Sequence, residues 1–479
     1  MPPTPFRQHP RAALLAVCLA AAAPAAAQNE HVTLLSRLHT KTAYSGLWGH
    51  TAADGREFAL VGELNGTWIV DVSEPRFPKE IAFFRGPANR WREIKTFGHY
   101  LYSGSEGHGG LRVLDLLDPE SPRDLGYVHA TNWGNTHTLS PDPATGRLYV
   151  NGTHKGMVVL DVAADPERLP VLGYFTGYFV HDSHHRRGRS YLADYYGNAL
   201  RIVANANPGA MTPIGSLTLP GRLIHDAWVS DDDQLLLVTD ETLGTVPGQL
   251  HTVDLALPAQ PKKLGTYQVP GHIAHEVRLL GRTAYQAWHS DGFHVLDVSD
   301  PANVRRLARY DTSSAAGGLD GAWGIYPFLD SGVVLVSDLQ EGLFVAQIEV
   351  AHLNRYGRGT PGTGGRIPRV TLEDAAPRVG AGGLRLAVEN LAPGRPFAVF
   401  FGAAAGSLTI GSLTLLVDPT GLQSRSGTAD AQGRASVALG VPADPRLAGS
   451  RLYLQVFAVD PGAIHGIAAS RGMWFGVAP

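Results

Sequence analysis

The sequence predicts an all-β chain: a seven-bladed β-propeller followed by a small β-sandwich. Three observations predict it. Seven residues that open a repeated motif, Trp48, Trp91, His137, His181, His225, His275 and Trp323, stand 43, 46, 44, 44, 50 and 48 positions apart. Each motif continues with an apolar strand, an acidic residue or His before a Gly turn, and a second strand that in most copies ends in Asp. The composition then changes after residue 354. Repeats of this period bury their cores by stacking on neighbours, and a unit of this length holds four short antiparallel strands.

The first 27 residues read as a secretory signal. Arg7 and Arg11 precede an alanine-rich apolar run, and Ala25-Ala26-Ala27 offers a small-residue cleavage site. The single cysteine, Cys18, lies in this run, and Val17 before it argues against lipid attachment. The mature chain then has no disulfide and no thiolate metal site. The expected location is secreted, periplasmic or cell-surface. No later run is apolar enough to span a bilayer, and a formal charge of −3 gives no basic excess for nucleic acid. The 56 Gly and 33 Pro suit short strands joined by many turns.

Residues 31–40 form a lone apolar strand that resembles the fourth strands at 79–86 and 305–312. The last unit has strands at 333–337 and 343–348 and lacks a good fourth. The N-terminal strand therefore closes the last blade and removes the open edges. The paired middle strands of the other blades are read at 59–63 and 68–71, 101–105 and 111–115, 148–151 and 158–161, 191–193 and 200–203, 235–239 and 250–254. Asp71, Asp115, Asp161, Asp254 and Asp297 end third strands before turns and are read as turn caps. The propeller is assigned to 28–354, a Gly/Pro-rich linker to 355–369, and the sandwich to 370–479.

The motifs resemble a known family. Val295-Leu296-Asp297-Val298-Ser299-Asp300-Pro301 and Ile69-Val70-Asp71-Val72-Ser73-Glu74-Pro75 resemble the LVIVD repeat. Trp91-Arg92-Glu93-Ile94-Lys95, Val180-His181-Asp182, His225-Asp226-Ala227-Trp228 followed by Asp240-Glu241, and Gly321-Ala322-Trp323 through Gly342-Leu343-Phe344 resemble the bacterial choice-of-anchor B family. That resemblance covers about residues 31–350 and implies a secreted or surface-attached propeller, without an established reaction. The chain departs at Asp226 and Glu276, where polar amides look more usual, and in its folded C-terminus, which carries no membrane anchor.

Fifteen of the 20 histidines fall between residues 50 and 294. In a propeller, the residue opening the first strand of a blade and the residue ending the second lie together near the axis. The first set supplies His137, His181, His225 and His275. The second supplies Glu63, Glu106, His154, Asp194, Asp240, His289 and Asp338. Asp182, Asp226 and Glu276 directly follow three of the histidines. Imidazole with carboxylate suits Zn, Mn or Fe, which makes His137, His181, His225, His275, Asp240 and His289 candidate metal ligands. Glu63, Glu106, His154, Asp182, Asp194, Asp226, Glu276 and Asp338 are candidates for a ligand-binding mouth. The same histidines admit a structural reading, in which each bonds the neighbouring blade. The run 137–275 is one-sided around the ring, which favours a site over packing.

No phosphate loop, hydrolase elbow or cofactor motif is present, and no residue is assigned a catalytic role. The functional expectation is a monomeric binding protein for an unknown protein or small polar ligand. The alternative is a metal-dependent hydrolase or lyase at the His-rich mouth. His184-His185-Arg186-Arg187 is read as a solvated loop on the opposite face, and Asp231-Asp232-Asp233 as an acidic loop.

Overall fold

The computed structural model describes residues 29–477 except 108, 130, 244–246, 314–316, 351–353, 357–358, 374–377, 381–383 and 412. The leader and Cys18 lie outside the described residues. Among these residues the regular elements are strands and three short 3₁₀ turns.

Seven antiparallel meanders of four strands form the propeller; the first blade is Tyr44–Thr51, Glu57–Glu63, Gly66–Asp71 and Lys79–Arg85. The innermost strands, from Tyr44–Thr51 through Arg92–Phe97 and on to Ala322–Tyr326, neighbour one another in turn, and the last neighbours the first. The ring is closed. Its three inner strands per blade are apolar and buried. The outermost is half-exposed and polar on alternate residues, as in Lys262–Gln268, which is the pattern of a strand with one wet face.

The chain's first long strand, Val32–Leu38, pairs antiparallel with Gly342–Ile348, setting Val32 opposite Ile348. It is the fourth strand of the last blade, as the sequence predicts. Leu34 and Leu38 pack on the clusters of the last and first blades. Removing residues 29–38 leaves Gly342–Ile348 as a bare edge. Differential scanning calorimetry is expected to show Tm lower by roughly 5–10 °C, on the scaling for domains of this size. An unchanged Tm would refute the closure.

The five third-strand aspartates cap their turns. Asp71 accepts from Ser73 N–H (2.8 Å), Asp115 from Leu117 (2.8 Å), Asp161 from Ala164 (2.9 Å), Asp254 from Ala256 (2.8 Å) and Asp297 from Ser299 (2.9 Å). This is the Asx-turn chemistry that recommends Asp before Ser, Asp and Pro.

Neighbouring blades are tied by side chains that reach the backbone at the start of the next inner strand. Ser337 donates to the Ser45 carbonyl (2.6 Å), Ser45 to Arg92 (3.2 Å) and Thr138 to His181 (2.6 Å). Two of the opening histidines, described below, make the same tie.

The C-terminal strands form two facing sheets. One is built from Asn354–Tyr356, Gly472–Gly476, Arg451–Val459, Pro396–Gly402 and Gln423–Thr428, the other from Arg369–Leu372, Leu384–Glu389 and Ala435–Leu439. They enclose one apolar cluster that includes Leu386, Val388, Val399, Val456 and Phe475, so this is a sandwich. Asn354–Tyr356 belongs to its larger sheet, so part of the stretch read as a linker is built into the sandwich.

The sandwich sits on the propeller face formed by the turns between first and second strands. Arg471 pairs with the buried Glu57 (3.1 Å), and Arg369 donates to the Phe328 carbonyl (2.6 Å). One reading is corrected on this side, and the acidic loop gains partners. His184 and His185 lie within the strand Val180–Arg186 and are not a solvated loop. The His184 ring packs on Trp228 (4.3 Å between centroids), and His185 stacks on Tyr149. Asp231, Asp232 and Asp233 pair with Arg186, Arg282 and Arg187, so those carboxylates already have cationic partners.

Candidate functional site

The far end of the axis, away from the sandwich, carries the histidines. Ring centroids run His137–His181 4.1 Å, His181–His225 4.3 Å, His225–His275 4.2 Å and His275–His289 4.6 Å, a continuous arc across four blades. His225, His275 and His289 are at most 3% exposed and His181 is 8% exposed. Burial, reinforced by neighbouring imidazoles, holds His181, His225 and His275 well below the usual histidine range, so these rings are neutral at pH 7.

Each ring's tautomer follows from its partner. A carbonyl can only accept, so His181 Nδ1–H donates to His225 O (3.1 Å) and His275 Nδ1–H to Trp323 O (2.7 Å). Both bonds reach the next blade, so the structural reading holds for these nitrogens. It leaves each Nε2 as a lone pair. His181 Nε2 lies 2.7 Å from His137 Nε2, and His137 Nδ1 lies 2.6 Å from Glu106 Oε1. His225 Nδ1, His275 Nε2 and His289 Nδ1 are buried without a hydrogen-bond partner. An unpaired buried polar atom costs about 1–3 kcal/mol, so three side by side mark a place where a bound partner would stabilise the fold.

The carboxylate among them is Glu241, not the expected Asp240. Glu241 Oε1 is 3.4 Å from His289 Nε2, and Tyr195 donates its hydroxyl to Oε2 (3.3 Å) while stacking on His181. Asp240 points the other way, to His251 (2.7 Å) and Arg222 (3.5 Å). The error is one residue of register at the end of the second strand. Successive side chains alternate faces, so Asp194 and Asp240 point outward while Tyr195 and Glu241 turn inward. Asp194 pairs with Arg201 (3.0 Å), and Asp338 accepts from Thr312 (2.7 Å). Glu63 caps the backbone of Thr42 and Asn65, and His154 is exposed on its turn. These four stand apart from the mouth. Of the second set, Glu106 and His289 join the histidines.

Asp182, Asp226 and Glu276 lie one layer deeper. They form a buried charge cluster with Glu93, Lys95 and Arg278, all under 9% exposed. Arg278 bridges Asp226 (3.0 Å) and Glu276 (2.9 Å), and Lys95 pairs with Glu93. Burial raises the Asp182 carboxyl well above its usual range, helped by Asp226, and pulls the Lys95 amine down to about 8. Beneath the two cations lies an aromatic floor. Lys95 sits 4.6 Å from the Trp48 ring centre and Arg278 4.9 Å from that of Trp228.

That a histidine and the acid directly after it both approach the axis needs a local break in the pleat. The ladder of first and second strands shifts register between Val180 and Ser183 and between Ile224 and Asp226. A bulge of this kind re-aims one extra side chain, and here it places His181 with Asp182 and His225 with Asp226. Between the two layers is a pocket of about 10 Å³ lined by residues including Trp91, His181, Asp182, His275, Glu276 and Trp323. That is room for one water-sized occupant. Trp91 and Trp323 stack at its edge (4.5 Å), and Tyr196 and Phe179 form an exposed aromatic pair beyond Tyr195 (4.9 Å).

Comparison with known proteins agrees on the repeat. The family description LVIVD repeat matches residues 271–312, the unit opened by His275. No curated protein matches the sequence. Among solved structures, the crystal structure of the WD40 β-propeller domain of Doa1 is similar at 12% identity and a TM-score of 0.48, over 66% of this chain and 96% of that one. The chain thus carries an LVIVD repeat within a β-propeller, and no helix among its described residues is long and apolar enough to cross a membrane.

Proposed function

We propose that this is an extracytoplasmic LVIVD-type propeller, of the choice-of-anchor B kind, that binds a ligand at its His-rich mouth. One observation carries the reading. The sandwich sits on one face, with the aromatic floor and the charge cluster between it and the histidines, while the other end gathers imidazoles with unpaired nitrogens beside exposed aromatics. The imidazole nitrogens set orientation and the Tyr196–Phe179 pair supplies apolar contact, which is the usual division of labour in a small-ligand site.

The test is a thermal-shift panel of small carboxylates, phosphates and sugars, run in chelator on the mature protein. A ligand at 100 times its Kd stabilises by about 2.7 kcal/mol, a readily measured rise in Tm. The rise is expected to shrink in a Tyr196→Ala/Phe179→Ala variant that retains the wild-type circular dichroism. A folded protein that responds to nothing in the panel, or a response unchanged in that variant, would remove organic-ligand binding at this mouth.

A further inference from the structure

We infer that the mouth is a transition-metal centre in which Glu241 is the carboxylate shared by two donor sets, His181/His225/Glu241 and Glu241/His275/His289. The inference rests on the reading of the mouth as a binding site and names what its imidazoles hold. Within each set the donor atoms lie within 4.8 Å of one another, and every member is buried. Donors around a tetrahedral zinc ion stand about 3.3 Å apart, given Zn–N and Zn–O bonds near 2.0–2.1 Å. Binding would draw either set in to that spacing.

Three further features select a cation over a water. The backbone bonds of His181 and His275 fix Nδ1 as the protonated nitrogen, the outer-sphere arrangement that orients metal-binding histidines; His275 Nε2 is then free to ligate, and His181 Nε2 ligates by giving up its 2.7 Å contact with His137 Nε2. Tyr195 holds Glu241 in the same way. One water has two hydrogens to offer, whereas four imidazoles and a carboxylate present more lone pairs than that. The layer below holds four carboxyl groups, Glu93, Asp182, Asp226 and Glu276, with two cations, Lys95 and Arg278, so it sets no excess positive charge beneath the mouth. Imidazole-rich sites with one carboxylate suit Zn²⁺ and its borderline neighbours. No cysteine follows Cys18 in the sequence to compete for them.

The experiment uses untagged mature protein, stripped with chelator and dialysed against Zn²⁺ alone, with metal counted by elemental mass spectrometry. Between about one and two equivalents per chain are expected, one for each donor set. Co²⁺ in place of Zn²⁺ is expected to give the visible absorption of a low-symmetry N/O site. Glu241→Gln, which keeps size and polarity, is expected to weaken Zn²⁺ binding at least tenfold, and Tyr195→Phe roughly 10-fold through loss of the orienting bond. His154→Ala, exposed and outside the mouth, is expected to bind as the wild type does. Less than a tenth of an equivalent in the folded wild type, or full binding retained in Glu241→Gln, overturns the assignment. Because the organic-ligand panel is run in chelator, a metal-free protein that still answers that panel loses only the metal inference. One that binds Zn²⁺ and nothing organic keeps the metal inference and loses the aromatic rim as a ligand contact.

Discussion

Arg278→Ala is expected to destabilise the propeller by about 3–5 kcal/mol, the cost of stranding a buried charge partner. Arg278 is 2% exposed and is the only residue that bonds both Asp226 and Glu276 among the described contacts. Against its burial, Glu276 and Asp226 hold its guanidinium above the usual range, so it is charged at any working pH. Its removal leaves two carboxylates facing each other in a buried channel, with Lys95 engaged by Glu93. Two companion variants separate charge from packing. Glu276→Gln added to Arg278→Ala should recover about half the loss, since one of the stranded charges is gone. Arg278→Lys should recover little, because a single ammonium cannot span two carboxylates as a planar fork does. Urea melts of the four proteins measure all of this. If Arg278→Ala costs under 1 kcal/mol, the cluster is hydrated and the layered description of the axis is wrong.

How much of this was legible in the sequence follows from the period of each signal. The opening residues recur every 43–50 positions, and that spacing carries the blades, their order and the closing strand. The turn-capping aspartates were legible because their chemistry is local: carboxylate and N–H lie two or three residues apart. Four rings of the His arc were legible because each opens its repeat, and His289 because it follows the second strand of the same unit as His275. The carboxylate partner was not. Asp240 and Glu241 are adjacent, and the pleat decides which of them faces the axis; a repeat period does not fix that parity. Lys95 and Arg278 were missed for a related reason. They follow Glu93 and Glu276 by two, the spacing of one strand face, and that alternation could have flagged them. The bulges at His181 and His225 add an inward residue where regular alternation would turn one out, and no residue type in those stretches announces a bulge.

Acidification is expected to unfold the protein well before its carboxylates are all protonated. Burial pulls His50 down to about 4 and His184 to about 3, and His185 and His294 are also lowered, burial being the leading cause in each. The structures around them explain why. His50 Nε2 is buried without a partner, and His184 Nδ1 accepts the Val229 N–H (2.9 Å), a bond that protonation would end. A histidine whose folded value lies below its unfolded one binds its proton preferentially in the unfolded chain. Its contribution to stability is therefore complete above pH 6.5 and is lost as pH falls toward the folded value. At pH 4.5, His50 alone gives up about 2.5 kcal/mol. The raised carboxyls of Asp182, Glu276 and Asp338 act in the opposite sense, since protonating them relieves the folded state. As pH falls from neutrality the histidines act through the unfolded chain, whose imidazoles take up protons near pH 6.5, and they are more numerous than these acids. Denaturant melts from pH 7.5 to 4.5 should show stability falling by at least 3 kcal/mol, and His50→Leu should flatten part of the slope. A stability that holds or rises on acidification would mean that the buried acids, not the histidines, govern the response.

The closing strand also sets an order of events. Thr33 and Glu349 touch across a separation of 316 residues, so the strand Val32–Leu38 waits for the last blade before it has a partner. Until residue 348 is made, the ring is an open arc with the final sheet still to be built and the N-terminal strand unpaired. Contacts of such long range slow folding, and a free strand edge in the meantime invites pairing with other chains. A polypeptide that completes its circle only at the end can travel some distance from the ribosome in a threadable state. It pays for that freedom with a long interval in which a chaperone, or a second chain, can reach the gap first.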